Sequence, residues 1–122
     1  MATWTTTKHF EFEAAHRLPG HEGKCQHMHG HTYKVEVTCE RASLTESGPA
    51  RGMVLDFGTM KEAWRALDEQ LDHKVLNDIP GLENPTAENL AKYIYGQLFP
   101  LLDHLVEVKV WETSSSCATY RA

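Results

Sequence analysis

The stretch Cys25-Gln26-His27-Met28-His29-Gly30-His31 places a thiol and three imidazoles within seven residues, directly ahead of a run that alternates like a β-strand. From His29 the odd positions read His29, His31, Tyr33, Val35, Val37 and Cys39, and the even positions Gly30, Thr32, Lys34, Glu36, Thr38 and Glu40. Successive strand side chains point to opposite faces, so each set shares one side. The side with the valines is the one to be buried, which turns His29 and His31 toward the apolar interior or its rim. Residues two apart on a strand lie roughly 6.5–7 Å apart along the backbone, near enough for two imidazoles to converge on one ion. The competing interpretation is a pair of rim histidines bonded to backbone carbonyls.

The preceding segment supplies a third imidazole. Across residues 4–16, Trp4, Thr6, Lys8, Phe10, Phe12, Ala14 and His16 share parity, against Thr5, Thr7, His9, Glu11 and Glu13. Phe10 and Phe12 mark the buried face, and the same parity carries His16 inward at the strand's end. His9 falls on the solvated side. Pro19, Gly20 and Gly23 make residues 17–28 a returning loop, so the first strand ends where the second begins. His16, His29 and His31 are therefore expected to meet at one edge of an antiparallel pair.

Further along, Ser47-Gly48-Pro49 and Gly52 predict a turn in a loose hairpin, and Met53-Val54-Leu55 a short strand. Asp56 then precedes an amphipathic helix with Met60, Ala63, Trp64, Leu67 and Leu71 at helical spacing, and it suits a capping role better than a catalytic one. Asp72-His73 sits at the exit of that helix; alone, the dipeptide reads as a helix terminus. Thr86 is the candidate cap of a second helix striped by Leu90, Ile94, Leu98 and Leu101. A last strand spans 105–113, where Val106, Val108, Val110 and Glu112 share a face. A carboxylate at the end of a valine row is either paired with a cation or hydrogen-bonded to a polar ligand. The order β-β-β-α-α-β predicts an α+β domain with two helices on one face of an antiparallel sheet.

The 122 residues fit a single domain, 1–122, able to bury most of what its unfolded chain exposes. A formal net charge of −5 argues against nucleic acid or an anionic membrane as partner, because such binders present a basic face. No segment reaches the ~20 apolar residues of a membrane span. The three cysteines form no CxxC pair, and the first residues lack the apolar core of a signal peptide, so reduced thiols in a cytoplasmic protein are expected. Eight dispersed histidines point to metal or proton transfer.

Three neutral histidines around one divalent ion, with a fourth position open, is the pattern of catalytic zinc. The rival is a closed structural site in which Cys25 is the fourth ligand. A thiol beside a cation is expected to have a lowered pKa, as a proton-abstracting or nucleophilic group needs. Glu112 offers two acceptors suited to the donor edge of a guanidine-like heterocycle.

Taken in order, Phe12-Glu13-Ala14-Ala15-His16, Cys25 with His29-Gly30-His31, Val54-Leu55-Asp56-Phe57, Leu71-Asp72-His73, Glu83-Asn84-Pro85-Thr86 and Glu112-Thr113 resemble the 6-pyruvoyl-tetrahydropterin synthase / 6-carboxy-tetrahydropterin synthase family. The gap between Cys25 and His29 and the Glu83-Asn84-Pro85-Thr86 segment are most similar to its bacterial 6-carboxy branch, which feeds queuosine biosynthesis. The resemblance implies a tunnelling fold (T-fold): a four-stranded antiparallel sheet with two helices, closing with neighbouring subunits into an oligomeric β-barrel, as a trimer or hexamer. It implies one Zn²⁺ per subunit on His16, His29 and His31. It also implies a pterin triphosphate substrate, 7,8-dihydroneopterin triphosphate, cleaved to 6-carboxy-5,6,7,8-tetrahydropterin, acetaldehyde and triphosphate. Cys25, Asp72 and His73 would then be catalytic, the latter two reaching the thiol across a subunit boundary. Glu112, Thr113 and Thr86 would bind the pterin. The alternatives are a 6-pyruvoyl-tetrahydropterin synthase, which eliminates triphosphate and keeps the side chain, and a non-catalytic pterin-binding module with a structural zinc. His27 has no role in this pattern and reads as a loop residue; Arg17, Lys24 and Lys109 are the basic candidates for the triphosphate.

Overall fold

The computed structural model describes residues 2–122. Strands β1 (Trp4–His16) and β2 (His29–Arg41) form the long central hairpin, followed by helix α1 (Phe57–Leu71), the two-residue strand β3 (Lys74–Val75), helix α2 (Ala87–Leu98), β4 (Leu105–Thr113) and β5 (Ser116–Arg121). The sheet order is β3-β1-β2-β4-β5. Alternation produces the core directly. Phe12, Ala14, Tyr33, Val35, Val37, Val108 and Val110 face one side and join Met60, Trp64, Leu67, Leu71, Leu90, Ile94 and Leu98 of the helices in one buried cluster. Both helices therefore lie on one face, and Phe10 stacks on Trp64 at 4.9 Å between ring centroids.

The helix starts follow local chemistry. Asp56 accepts from Gly58 N–H at 2.7 Å and Thr86 from Asn89 N–H at 3.1 Å, each satisfying a donor the first turn leaves unpaired. Pairing of β1 with β2 runs from Trp4↔Arg41 to His16↔His29, so the register brings the ends of both strands to one edge.

Four expectations need correction. The sheet has five strands rather than four: β5 is a hairpin partner of β4 whose side chains are mostly exposed, so it carries little hydrophobic signal. The sheet is also not purely antiparallel, because β3 pairs in parallel with β1 through Ala14↔Lys74 and Ala15↔Val75. Met53-Val54-Leu55 is no strand; the tight Ala50–Met53 turn, with Gly52 at φ 80°, leaves Val54 buried from a bend instead. Leu101 is 54% exposed, since α2 stops at Leu98 and Leu102 takes the buried place beyond Pro100.

Candidate metal centre and active site

Because His16 stands opposite His29 and Ala14 opposite His31, the three predicted histidines converge, with ligand nitrogens all within 4.8 Å of one another. Two are oriented by backbone carbonyls. His16 Nδ1 donates to the Pro85 carbonyl at 2.8 Å, and His29 Nδ1 donates to the His27 carbonyl at 2.7 Å. A carbonyl only accepts, so both neutral rings carry their proton on Nδ1 and turn a bare Nε2 inward. Those two Nε2 atoms face each other at 3.0 Å, lone pair to lone pair. Such an arrangement is repulsive unless a cation or proton lies between them. His31 Nε2 is buried with no hydrogen-bond partner, leaving a third ring nitrogen unsatisfied at the same place. The donor set fits one divalent ion, with three imidazoles as ligands and carbonyl partners behind two of them.

Electrostatics favour the same state. Burial lowers the His16 pKa, against the Pro85 hydrogen bond and the Glu112 carboxylate, which raise it; burial likewise lowers that of His31 against Glu112. Neutral imidazoles are the metal-binding form. Tyr33, wholly buried, packs its ring edge against His16 and His31, and its hydroxyl lies 3.2 Å from His16 Nδ1. Burial pushes its phenol pKa up, so it stays a neutral hydroxyl.

Cys25 lies half-buried on a short 3-10 turn, Lys24–Gln26, whose carbonyl at Cys25 accepts from Leu18 N–H at 2.7 Å. Among the described residues the metal-type cluster consists of the three histidines, and Cys25 is not part of it. Glu112 shares a depression of 250 Å³ with Thr86, Glu88, Leu18 and Cys117, between the start of α2 and the β4–β5 hairpin. Thr113 alternates to the helix-free face and lines a different hollow with Glu11, Lys34, Glu36 and Trp111, so the structure separates it from Glu112. The Thr86 hydroxyl is engaged as the helix cap.

Asp72 and His73 form a second grouping. Asp72 Oδ2 lies 2.9 Å from His73 Nδ1, and both residues are pinned to β1: Glu13 N–H donates to Asp72 Oδ1 at 2.9 Å while His73 N–H donates to the Glu13 carbonyl. His73 stands at φ 58°, in the left-handed region that a helix end usually gives to glycine. It borders an open depression of 470 Å³ shared with Gly30, His31 and Thr32. Within the chain its polar neighbours are Asp72 and Glu13.

Two contributions escaped the sequence. The carbonyls of Pro85 and His27 orient the ligands, and because main-chain atoms do this, residue type gives no signal of it. His27, unassigned by its side chain, acts here through its backbone.

Fold and site together define a small α+β domain with a three-histidine group able to hold a metal ion at one end of its sheet. The model of the family described as 6-pyruvoyl tetrahydropterin synthase matches residues 5–122, and the chain belongs to this family. It is 43% identical over 119 residues to the Synechocystis 6-carboxy-5,6,7,8-tetrahydropterin synthase, covering 96% of this chain and 92% of that protein. It is 36% identical to the Dictyostelium discoideum 6-pyruvoyl tetrahydrobiopterin synthase, covering 94% and 93% of the two. Among solved structures, the Caenorhabditis elegans 6-pyruvoyl tetrahydropterin synthase superposes with a TM-score of 0.85 at 28% identity, over 100% of this chain and 97% of that one.

Proposed function

We propose that the chain is a zinc-dependent lyase that converts 7,8-dihydroneopterin triphosphate to 6-carboxy-5,6,7,8-tetrahydropterin, acetaldehyde and triphosphate, as a cytoplasmic homo-oligomer serving queuosine biosynthesis. The observation that carries the reading is the 3.0 Å opposition of the His16 and His29 Nε2 atoms beside the orphaned His31 Nε2. Family membership and the 43% identity to a 6-carboxy-5,6,7,8-tetrahydropterin synthase support the chemistry.

In this reading His16, His29 and His31 hold Zn²⁺, which when bound supplies a Lewis acid that polarises substrate oxygens and makes neighbouring carbon centres more acidic. Glu112 accepts the 2-amino and ring N–H donors of the pterin, with Thr86 lining the same depression; Thr113, on the other face of β4, takes no part in that contact within the chain. The pterin's position at Glu112 brings its side chain toward the histidines, the groups on which the Glu112 charge acts. Cys25 takes a proton from the side chain as triphosphate departs. Asp72 holds His73 as the proton carrier; its exposure and its place at the rim suit a role toward the thiol of an adjoining subunit. Exclusion of Cys25 from the histidine cluster favours this open site over one closed by sulfur.

The resemblance to the Dictyostelium protein favours, as second reading, elimination of triphosphate without side-chain cleavage. Incubating the zinc-loaded protein with 7,8-dihydroneopterin triphosphate separates the two. Acetaldehyde release with a 6-carboxy product supports the first; a 6-pyruvoyl product without acetaldehyde establishes the second; no turnover by metal-loaded protein overturns both.

A further inference from the structure

The pairing of β3 with β1 stops at Ala15↔Val75, because the backbone of residues 76–78 turns into a 3-10 helix. Yet the ladder continues in another form. Asn77 Oδ1 accepts from Arg17 N–H at 2.9 Å, and Asn77 Nδ2 donates to the Arg17 carbonyl at 2.8 Å. Residues 14 and 15 pair with 74 and 75, so 17 with 77 keeps the register: the carboxamide substitutes for the missing strand. The same Nδ2 approaches the Glu83 carbonyl at 3.4 Å, bringing the clamp to the loop that carries Pro85. That loop is held from its far side too, where Asn89 Nδ2 donates to the Asn84 carbonyl at 2.9 Å.

His16 immediately precedes the clamped residue, and its Nδ1 partner, the Pro85 carbonyl, lies two residues beyond Glu83. We propose that Asn77 is a positioning residue of the metal centre. By tying the backbone of Arg17 to the Glu83–Thr86 loop it fixes the His16–Pro85 hydrogen bond, and with it the tautomer and direction of His16 Nε2. The hydrogen bonds of Asn77 go to the backbones of Arg17 and Glu83, and it acts through them. A carboxamide is the required group, because the clamp needs an acceptor and a donor side by side. Aspartate has the same shape but sets a carboxylate oxygen against the Arg17 and Glu83 carbonyls.

The inference rests on the three-histidine metal reading, and the test separates the two. Metal dissociation constants for Co²⁺ and Zn²⁺ are measured by chelator competition on the full chain, together with the visible spectrum of the Co²⁺ form. The proteins are wild type, Asn77→Asp, Asn77→Ala and Thr45→Val, the last removing two comparable loop hydrogen bonds away from the centre, Thr45 Oγ1 to the Met53 carbonyl and Arg41 Nη1 to Thr45 Oγ1. Both Asn77 variants are expected to bind about 10–100-fold more weakly, the range seen when ligand-orienting partners are lost, with an altered Co²⁺ spectrum. Thr45→Val should match wild type in both readouts whatever its thermal stability. Unchanged affinity and spectrum in Asn77→Asp overturn the proposal, whereas failure of the wild type to bind either ion overturns the metal reading beneath it. Amide hydrogen exchange on the wild type stands independently of any variant's folding. The Arg17 N–H should be protected like a strand amide, and exchange at the rate of a free loop amide rules the clamp out.

Discussion

His73 follows Asp72 across the end of α1 in a left-handed conformation, φ 58°, with its Nδ1 2.9 Å from Asp72 Oδ2. The two groups shift each other's titration in opposite senses. The Glu13 N–H and the His73 ring hold the Asp72 carboxyl below its ordinary value of 3.8, and the Asp72 carboxylate raises the His73 imidazole above 6.5. The raised imidazole favours folding fully below pH 6.5, and this is lost as pH rises through its folded value. The lowered carboxyl favours folding above pH 3.8, and this is lost as pH falls through its folded value. The charged pair therefore persists across the interval between. In Asp72→Asn the His73 midpoint, followed by the NMR shift of its Cε1 proton, should fall toward 6.5. An unmoved midpoint would break the assigned pairing.

The backbone at His73 yields a separate expectation. A left-handed conformation costs an L-residue roughly 1–2 kcal/mol, which glycine avoids. Above the titration of His73, where its charged pairing with Asp72 no longer favours folding, His73→Gly should thus be no less stable than wild type, or more stable by up to ~1 kcal/mol, since the imidazole is 74% exposed and contributes little packing. Turnover should fall about 10²–10⁴-fold if the ring carries a proton. Urea unfolding and steady-state rates on the same samples test both halves; loss of stability with retained turnover would reverse the assignment.

That pair also marks how far the sequence could be read. The period-two pattern of residues 4–16 and 29–41 announced β1, β2 and the convergence of His16, His29 and His31, because one buried face with histidines at its end admits few arrangements. Met60, Ala63, Trp64, Leu67 and Leu71 were legible for the same reason at period 3.6, and all five are buried. Strand β5 was hidden because an edge strand in a hairpin is held by main-chain bonds to β4, leaving most of its side chains exposed. Val54 misled in the opposite sense: an apolar residue buried from a bend looks like a strand when only composition is read. The resemblance, rather than spacing, singled out Asp72-His73, whose tie to Glu13 spans 59 positions of sequence.

The facing Nε2 atoms of His16 and His29 predict that stability depends on a bound metal ion. A ligand that binds only the folded state stabilises it by about 4 kcal/mol at 1,000 times its dissociation constant. Adding Zn²⁺ or Co²⁺ to stripped protein should raise the thermal midpoint in that proportion, and His31→Ala, with two nitrogens left, should lose most of the gain. A midpoint indifferent to both ions would falsify the metal centre.

Cys25 stands outside the histidine cluster, so metal content and chemistry should part company at this residue. Cys25→Ala is expected to retain one metal per chain and lose about 10²–10⁴-fold in turnover, the range for a removed proton-transfer group. Metal analysis of the dialysed variant decides. If the ion leaves with the thiol, the site is closed by sulfur and the catalytic role of Cys25 falls with it.

Glu112 tests substrate recognition apart from both. In the proposed function its carboxylate offers acceptors to two neighbouring N–H donors of a pterin, whereas glutamine presents one acceptor and one donor, setting N–H against N–H. A charge-assisted hydrogen bond is worth ~1.5–3 kcal/mol, so Glu112→Gln should raise KM about 10–100-fold. The metal should remain, because Glu112 is not one of the three ligands and burial still keeps His16 and His31 neutral without it. Binding of a non-reactive pterin to the metal-loaded variant, followed by fluorescence quenching, isolates recognition from turnover. An unchanged pterin affinity with reduced rate would move Glu112 from the ring's anchor to the reacting side chain, and the depression it shares with Thr86 would then hold some other part of the substrate.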